Sequence, residues 1–243
     1  MGRGMKSVVL AVGGIVLVVA GVAIAANWTV PIASERTDTV KAAVERVDID
    51  NDSGNVAIRS ADVTSTVIEQ RLRYHGEEPG RTFEVDGSTL LLHGCGPDCS
   101  VEYEVRVPFG VTVEGEVSSG DILVEGTGNV SVRASSGDVE LRLRDAERVS
   151  VRVESGNIDA ELREVAEIEA MASSGNVDLD LAGVDRVRAN AESGDVTATV
   201  PTGDYRVRAT TDSGESDVSG DDPTAERVLD LTTSSGDVTV RGV

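Results

Sequence analysis

The strongest constraint on this chain is a tetrapeptide, Ser-Gly-(Asp/Asn)-(Val/Ile), that returns at nearly even intervals. Its glycines are Gly54, Gly120, Gly137, Gly156, Gly175, Gly194 and Gly236, with a degraded copy at Gly214. From Gly120 onward the steps are 17, 19, 19, 19, 20 and 22 residues. A period of that length marks a stacked architecture, in which each unit is too small to bury its own apolar face and relies on its neighbours.

Alignment on the repeat glycine exposes the core. Positions two, four and six after it are Val139, Leu141, Leu143; Ile158, Ala160, Leu162; Val177, Leu179, Leu181; and Val196, Ala198, Val200. Positions seven, five and three before it are Val130, Val132, Ala134; Val149, Val151, Val153; Ile168, Ala170, Ala172; and Val187, Ala189, Ala191. The residues between them are mostly Asp, Glu, Arg, Ser or Thr. This is alternation of period two on two strands per unit, with Ser-Gly at the corner. Two architectures satisfy it. A Ser-Gly corner could close a hairpin and give an antiparallel meander with one oily face. Alternatively, each unit is a flattened coil whose strands lie in two parallel sheets facing each other. A meander needs a second layer, and the chain offers no amphipathic helix to supply one. The pattern therefore predicts an all-β fold, a parallel β-solenoid of about 19-residue two-strand coils. At the corner, glycine supplies positive φ, and the preceding Ser is expected to bond backbone groups of the next coil. The following column, Asp121, Asp138, Asn157, Asn176, Asp195, Glu215 and Asp237, reads as turn-forming Asx rather than a calcium ladder.

The N-terminus is different material. Arg3 and Lys6 precede Ser7 to Ala26, twenty residues without a charge. As a helix this run would span about 30 Å, the hydrocarbon thickness of a bilayer. Residues 1–26 are thus expected to form a transmembrane anchor, N-terminus inside and the rest outside. A cleaved signal peptide is the alternative, since Ala23-Ile24-Ala25 resembles a processing site. Residues 27–44 read as a stalk. Residues 45–243 read as the ectodomain, with an irregular insertion at 61–110 in which Asp86-Gly87 signals a hairpin.

Beyond residue 26 the chain carries 43 acids against 20 cations. Such a surface repels nucleic acid and anionic headgroups. Lys6 and Lys41 are the only lysines, and heavy acid loading with so little Lys resembles proteins of extreme halophiles, where salt screens self-repulsion.

The phrase Val107-Pro108-Phe109-Gly110-Val111, followed by Ser118-Ser119-Gly120-Asp121-Ile122, resembles the putative-adhesin domain of bacterial and archaeal surface proteins. So do the serial Ser-Gly-Asp-Val units and Asp50-Asn51-Asp52-Ser53-Gly54-Asn55-Val56. The likeness covers about residues 45–243 and implies a β-solenoid, often tethered to a membrane, with no catalytic residues to carry over.

Cys95 and Cys99, in Gly94-Cys95-Gly96-Pro97-Asp98-Cys99, are the only cysteines and read as a disulfide closing a loop. His75 and His93 lie in the same insertion, so a His/Cys metal site is the competing reading. Tyr205 with Arg206 and Arg208 is the nearest thing to a sugar platform, and an ordinary outward strand face is the simpler explanation. Three glycosylation sequons occur, at Asn27, Asn51 and Asn129. No nucleophile elbow, phosphate loop or zinc-protease signature is present. No catalytic residue, metal ligand or cofactor is assigned.

The expected protein is a membrane-anchored, non-enzymatic surface element for scaffolding or adhesion. Its partner is an unidentified envelope component, and it self-associates through an open edge at the final strand. A sensory ectodomain beside a membrane partner, or an enzyme binding or cleaving envelope polysaccharide, are the alternatives.

Overall fold

The computed structural model describes residues 31–243, and every element in them is a strand. The expected membrane helix at 1–26 and the sequon at Asn27 lie outside the described residues. The N-terminal block comprises β1 (Ile32–Val40), β2 (Arg46–Ser53), β3 (Val56–Ser60), β4 (Thr66–Tyr74), β5 (Phe83–Asp86), β6 (Thr89–His93) and β7 (Cys99–Val107). The regular stack follows with β8 (Thr112–Ser119), β9 (Ile122–Thr127), β10 (Val130–Ser136), β11 (Val139–Arg144), β12 (Arg148–Ser155) and β13 (Ile158–Arg163). It continues through β14 (Glu167–Ser174), β15 (Val177–Ala182), β16 (Arg186–Ser193) and β17 (Val196–Val200). The C-terminal block holds β18 (Tyr205–Ser213), β19 (Ser216–Val218), β20 (Arg227–Ser235) and β21 (Val238–Gly242).

Two sheets face each other. Sheet A runs β1-β4-β7-β3-β9-β11-β13-β15-β17-β21-β19, and sheet B runs β18-β20-β16-β14-β12-β10-β8-β2-β6-β5. Each coil contributes one strand to each sheet, and neighbouring coils pair in parallel with every repeat position in register, as in Val130↔Val149 and Val139↔Ile158. At about 4.8 Å per strand, the eleven strands of sheet A make a rod of about 50 Å. The parallel coils rule out the meander. Every apolar position picked out by the alternation is buried, Val139, Val177 and Ala189 at 0% exposure among them.

Stacking order departs from chain order at both ends. The β2/β3 coil lies between β6/β7 and β8/β9, and β20/β21 lies between β16/β17 and β18/β19. The expectation that the last strand ends the stack is therefore corrected: β21 bonds β17 on one side and β19 on the other. The outermost strands there are β18 in sheet B and β19 in sheet A, and the turn after β19 covers part of the free edge of β18. Asp221 Oδ1 accepts the Val207 N–H at 2.8 Å, and Asp222 N–H donates to Tyr205 O at 2.9 Å. A carboxylate on an edge N–H discourages pairing with another chain.

The stretch read as a stalk is also corrected. Its residues 32–40 are β1, antiparallel to β4 at the opposite end of sheet A. The insertion is equally structured. The β5–β6 hairpin turns at Asp86-Gly87 as its sequence signal indicated, while β6/β7 forms a full coil. This end is closed by polar groups: Arg36 donates to Gly80 O at 2.8 Å and to Glu78 at 2.6 Å. Behind it, Thr82 donates to Gln70 Oε1 at 2.7 Å, and the buried Tyr103 hydroxyl donates to Thr82 O at 2.5 Å. Burial pushes the Tyr103 hydroxyl well above the ordinary phenol range, so it remains a donor at any physiological pH.

Candidate functional site

The repeated motif builds one long edge of the rod. Each corner glycine has positive φ, from 112° at Gly54 to 152° at Gly214. From Gly120 onward its α-carbon packs on the carbonyl of a corner glycine one coil away, while Gly54 faces Val101 O. A β-carbon at Gly175 would stand 1.9 Å from Gly156 O, so no side chain fits. Gly214, the degraded copy, is a true corner seated on Gly236.

The ladder beside the glycines belongs to Asx and not to Ser, contrary to the expectation from sequence. Asn55 Oδ1 accepts Asp121 N–H at 2.9 Å, Asp121 accepts Asp138 at 3.0 Å, and Asp138 accepts Asn157 at 2.7 Å. Asn157 accepts Asn176 at 2.9 Å, Asn176 accepts Asp195 at 3.0 Å, Asp195 accepts Asp237 at 2.8 Å, and Asp237 accepts Glu215 at 2.8 Å. A short side chain with an oxygen two bonds from Cβ is what reaches the next coil's amide. Ser119, Ser136, Ser155, Ser174, Ser193, Ser213 and Ser235 are exposed alongside. The residues that first suggested a cation ladder are thus engaged in holding coil to coil. Among the described residues, no group of three or more His, Cys, Asp or Glu side chains is arranged to hold a metal.

Cys95 and Cys99 are disulfide-bonded with Cα atoms 5.5 Å apart, in the loop that stands where the β6/β7 coil would carry a Ser-Gly-Asx corner. The sulfurs are therefore bonded to each other and not to a metal. His75 is exposed, and its N–H donates to Asp98 O at 3.2 Å on the rim of that loop; His93 ends β6. Of the sequons, Asn51 is corrected: it is 2% exposed, and its Nδ2 donates to Gly54 O and Val101 O. A glycan there would have to leave the core. Asn129 is half-buried, and its Oδ1 accepts the Glu147 and Arg148 N–H groups at 3.0 Å each. Tyr205 is fully buried and its hydroxyl accepts Val184 N–H, so it offers no platform beside the exposed Arg206 and Arg208.

The two outer faces differ in charge. On sheet B, Glu169, Arg188, Asp230 and Arg208 sit side by side on adjacent strands, alternating in sign. On sheet A, Glu140, Asp159 and Asp178 stand side by side with one sign. Partial burial, with Asp159 as the next cause, raises the Asp178 carboxyl above the ordinary carboxylate range. Toward the N-terminal end sheet A is instead cross-linked by ion pairs. Glu69–Arg106 at 3.0 Å, Arg106–Glu104 at 3.5 Å, Glu104–Arg59 at 3.1 Å, Arg59–Glu125 at 2.8 Å and Glu125–Arg142 at 2.7 Å run across five strands. A shallow groove of about 560 Å³ lies on sheet B, lined by Asp48, Asp50, Glu114, Glu116, Ser131 and Arg133. Gly115 lines its floor: this glycine, with φ of 123°, is the register partner of Val132, and a β-carbon there would meet Ile49 O at 2.0 Å. Sequence reading missed the groove, although a glycine in an apolar column is the signal that would have found it.

These features define a capped two-sheet solenoid whose repeated polar residues hold its own corners. The chain belongs to the Toastrack DUF4097 family, which it matches over residues 33–241. Among solved structures it is similar to a putative adhesin from Parabacteroides distasonis, at 11% identity and TM-score 0.53, covering 86% of this chain and 97% of that one. It is also similar to a putative lipid binding protein from the same organism, at 14% identity, TM-score 0.49 and 85% and 96% coverage. A putative cell adhesion protein from Clostridium sporogenes matches at 12% identity, TM-score 0.36 and 88% and 100% coverage. At these identities the likeness is one of fold. No curated relative matches the chain.

Proposed function

We propose that this chain is a single-pass surface protein, N-terminus inside and solenoid outside, acting as a non-enzymatic scaffold or adhesion element of the cell envelope. The observation that carries the reading is the use made of the repeated polar residues. The Asx column is committed to coil-to-coil hydrogen bonds from the β2/β3 coil to the β18/β19 coil, and the interior is apolar along the stack. What the molecule offers a partner is a long, stiff, acidic outer surface. The uncharged run Ser7 to Ala26 supports the tether. The acid excess supports a setting of high salt and a partner other than nucleic acid.

The test is an epitope placed after Val243 on intact cells. Labelling by an impermeant reagent, together with a mature mass that includes residues 1–26, is the expected result. An epitope reached only after lysis overturns the topology, and a mass lacking those residues replaces the anchor with a signal peptide. Turnover of an envelope polysaccharide by the purified ectodomain would overturn the non-enzymatic reading. On a cell surface, Asn129 is the sequon placed to carry a glycan, and the mass of an Asn129→Gln variant reads it directly.

A further inference from the structure

The C-terminal coil occupies a slot. Both walls of that slot, β16/β17 and β18/β19, precede β20/β21 in the chain, yet β20/β21 lies between them. The walls specify their insert closely. Gly194 N–H donates to Ser235 O at 2.9 Å, and Gly236 N–H donates to Ser213 O at 3.0 Å. The Asx ladder passes through the insert, Asp195 to Asp237 to Glu215. Leu229, Leu231, Val238 and Val240 complete the core between the walls.

None of these contacts depends on the insert belonging to the same chain. That is decided by the connection between Val218 and Arg227, residues 219–226, which folds back over the outer side of β18. A few hydrogen bonds hold it there: Asp222 N–H to Tyr205 O at 2.9 Å, Val207 N–H to Asp221 Oδ1 at 2.8 Å, and Gly203 N–H to Gly220 O at 3.0 Å. Within the turn, Asp222 Oδ1 also accepts the Thr224 N–H at 2.8 Å and hydroxyl at 2.7 Å.

We propose that the slot between β16/β17 and β18/β19 is a binding site for the segment Arg227–Val243 of a second copy, and that two chains exchange this coil to form a reciprocal dimer. Exchange of an identical element keeps every contact of the coil and alters only the connection, so closed monomer and exchanged dimer differ by the turn's bonds and the entropy of association. Both walls lie upstream of the connection, so exchange of the segment leaves every residue that grips it in place. A second copy's segment meets the same ladder, the same glycine seat and the same core.

The experiment uses one cross-slot pair on the outer face of sheet B. Asn190 and Thr232 are register partners, joined by an Asn190 Nδ2 to Thr232 Oγ1 bond at 2.7 Å. Full-length Asn190→Cys and Thr232→Cys chains are unfolded together in mild acid without reductant, where protonated thiols leave Cys95–Cys99 closed, refolded over a range of concentrations, and then treated with a mild thiol oxidant. The expected product is a disulfide-linked dimer of the two variants. Its ratio to monomer rises about tenfold for a tenfold rise in chain concentration while conversion is low, as mass action requires. A mixture of Glu140→Cys, on sheet A, with Thr232→Cys should not couple. Coupling at or below the level of that control, with folded monomers recovered at every concentration, overturns the proposal. The double variant in a single chain should close on itself, since neighbouring parallel strands place such a pair within disulfide reach. Its failure to close would overturn the register on which the slot depends.

Discussion

Between β8 and β17 each coil rests on the one made just before it, whereas at both ends a coil is slotted between two others. The middle is regular because one solution is repeated: a glycine whose α-carbon touches the next glycine's carbonyl, an Asx that reaches the next amide, and apolar columns in register. The ends have no further neighbour to supply any of these. At the N-terminal end the apolar column gives way to Gln70, Thr82 and Tyr103, joined by hydrogen bonds, with Arg36 bonded to Glu78 and Gly80 beside them. At the C-terminal end buried Tyr205 and the Asp221–Asp222 turn do the closing. Repetition propagates a fold, and its termination takes residues that break the repeat.

The comparison can be broken hardest in the middle. Leu179→Asp puts a carboxylate at a site 3% exposed between two sheets, and loss of the cooperative transition is expected. A melting curve equal to wild type would contradict the inward register. Next comes a contrast of glycines. Gly175→Ala forces a β-carbon against Gly156 O and should cost more than about 3 kcal/mol. Gly87→Ala, in the open β5–β6 turn with φ 61°, carries only backbone strain and should cost about 1 kcal/mol. Equal losses in denaturant titrations would remove the case for a glycine seat. Asn157→Ala deletes one rung of the Asx ladder and should cost about 1 kcal/mol; an unchanged midpoint would make the ladder decorative.

The smallest effect has a size that depends on pH. The Asp178 carboxyl is raised in the folded state, so its ionised form opposes folding, and that penalty is absent below the unfolded pKa and grows as pH rises through the folded one. Asp178→Asn should therefore raise Tm at pH 7, with the gain fading below about pH 4. A gain that persisted in acid would point to packing and not to charge.

The middle was legible because alternation and a glycine period are both local. The ends were not. β18 and β20 present the same kind of inward column, Val207 and Ala209 against Leu229 and Leu231, and no short-range signal says which lies outermost. β1 reads as a stalk in the sequence because its inward positions are Ser34, Arg36 and Asp38, which hide the alternation. The second corner of each coil was overlooked although it too is periodic. Eight residues after Gly137, Gly156 and Gly175 stand Asp145, Glu164 and Gly183, with φ of 56°, 52° and 69°. Gly183 was the clue, and the non-glycine pair obscured it. The chemistry of the Asx column was misassigned to Ser because sequence gives the order of groups along the chain but not which of them reaches across a gap between coils.

The buried position of β21 has a mechanical consequence. A strand gripped along both margins cannot be peeled from its free tip, as the rim of a sheet can. Load applied at Val243 must instead break bonds to β17 and β19 together. The rod is therefore locked by a clasp, and fraying of β21 is opposed by the strands on both sides of it.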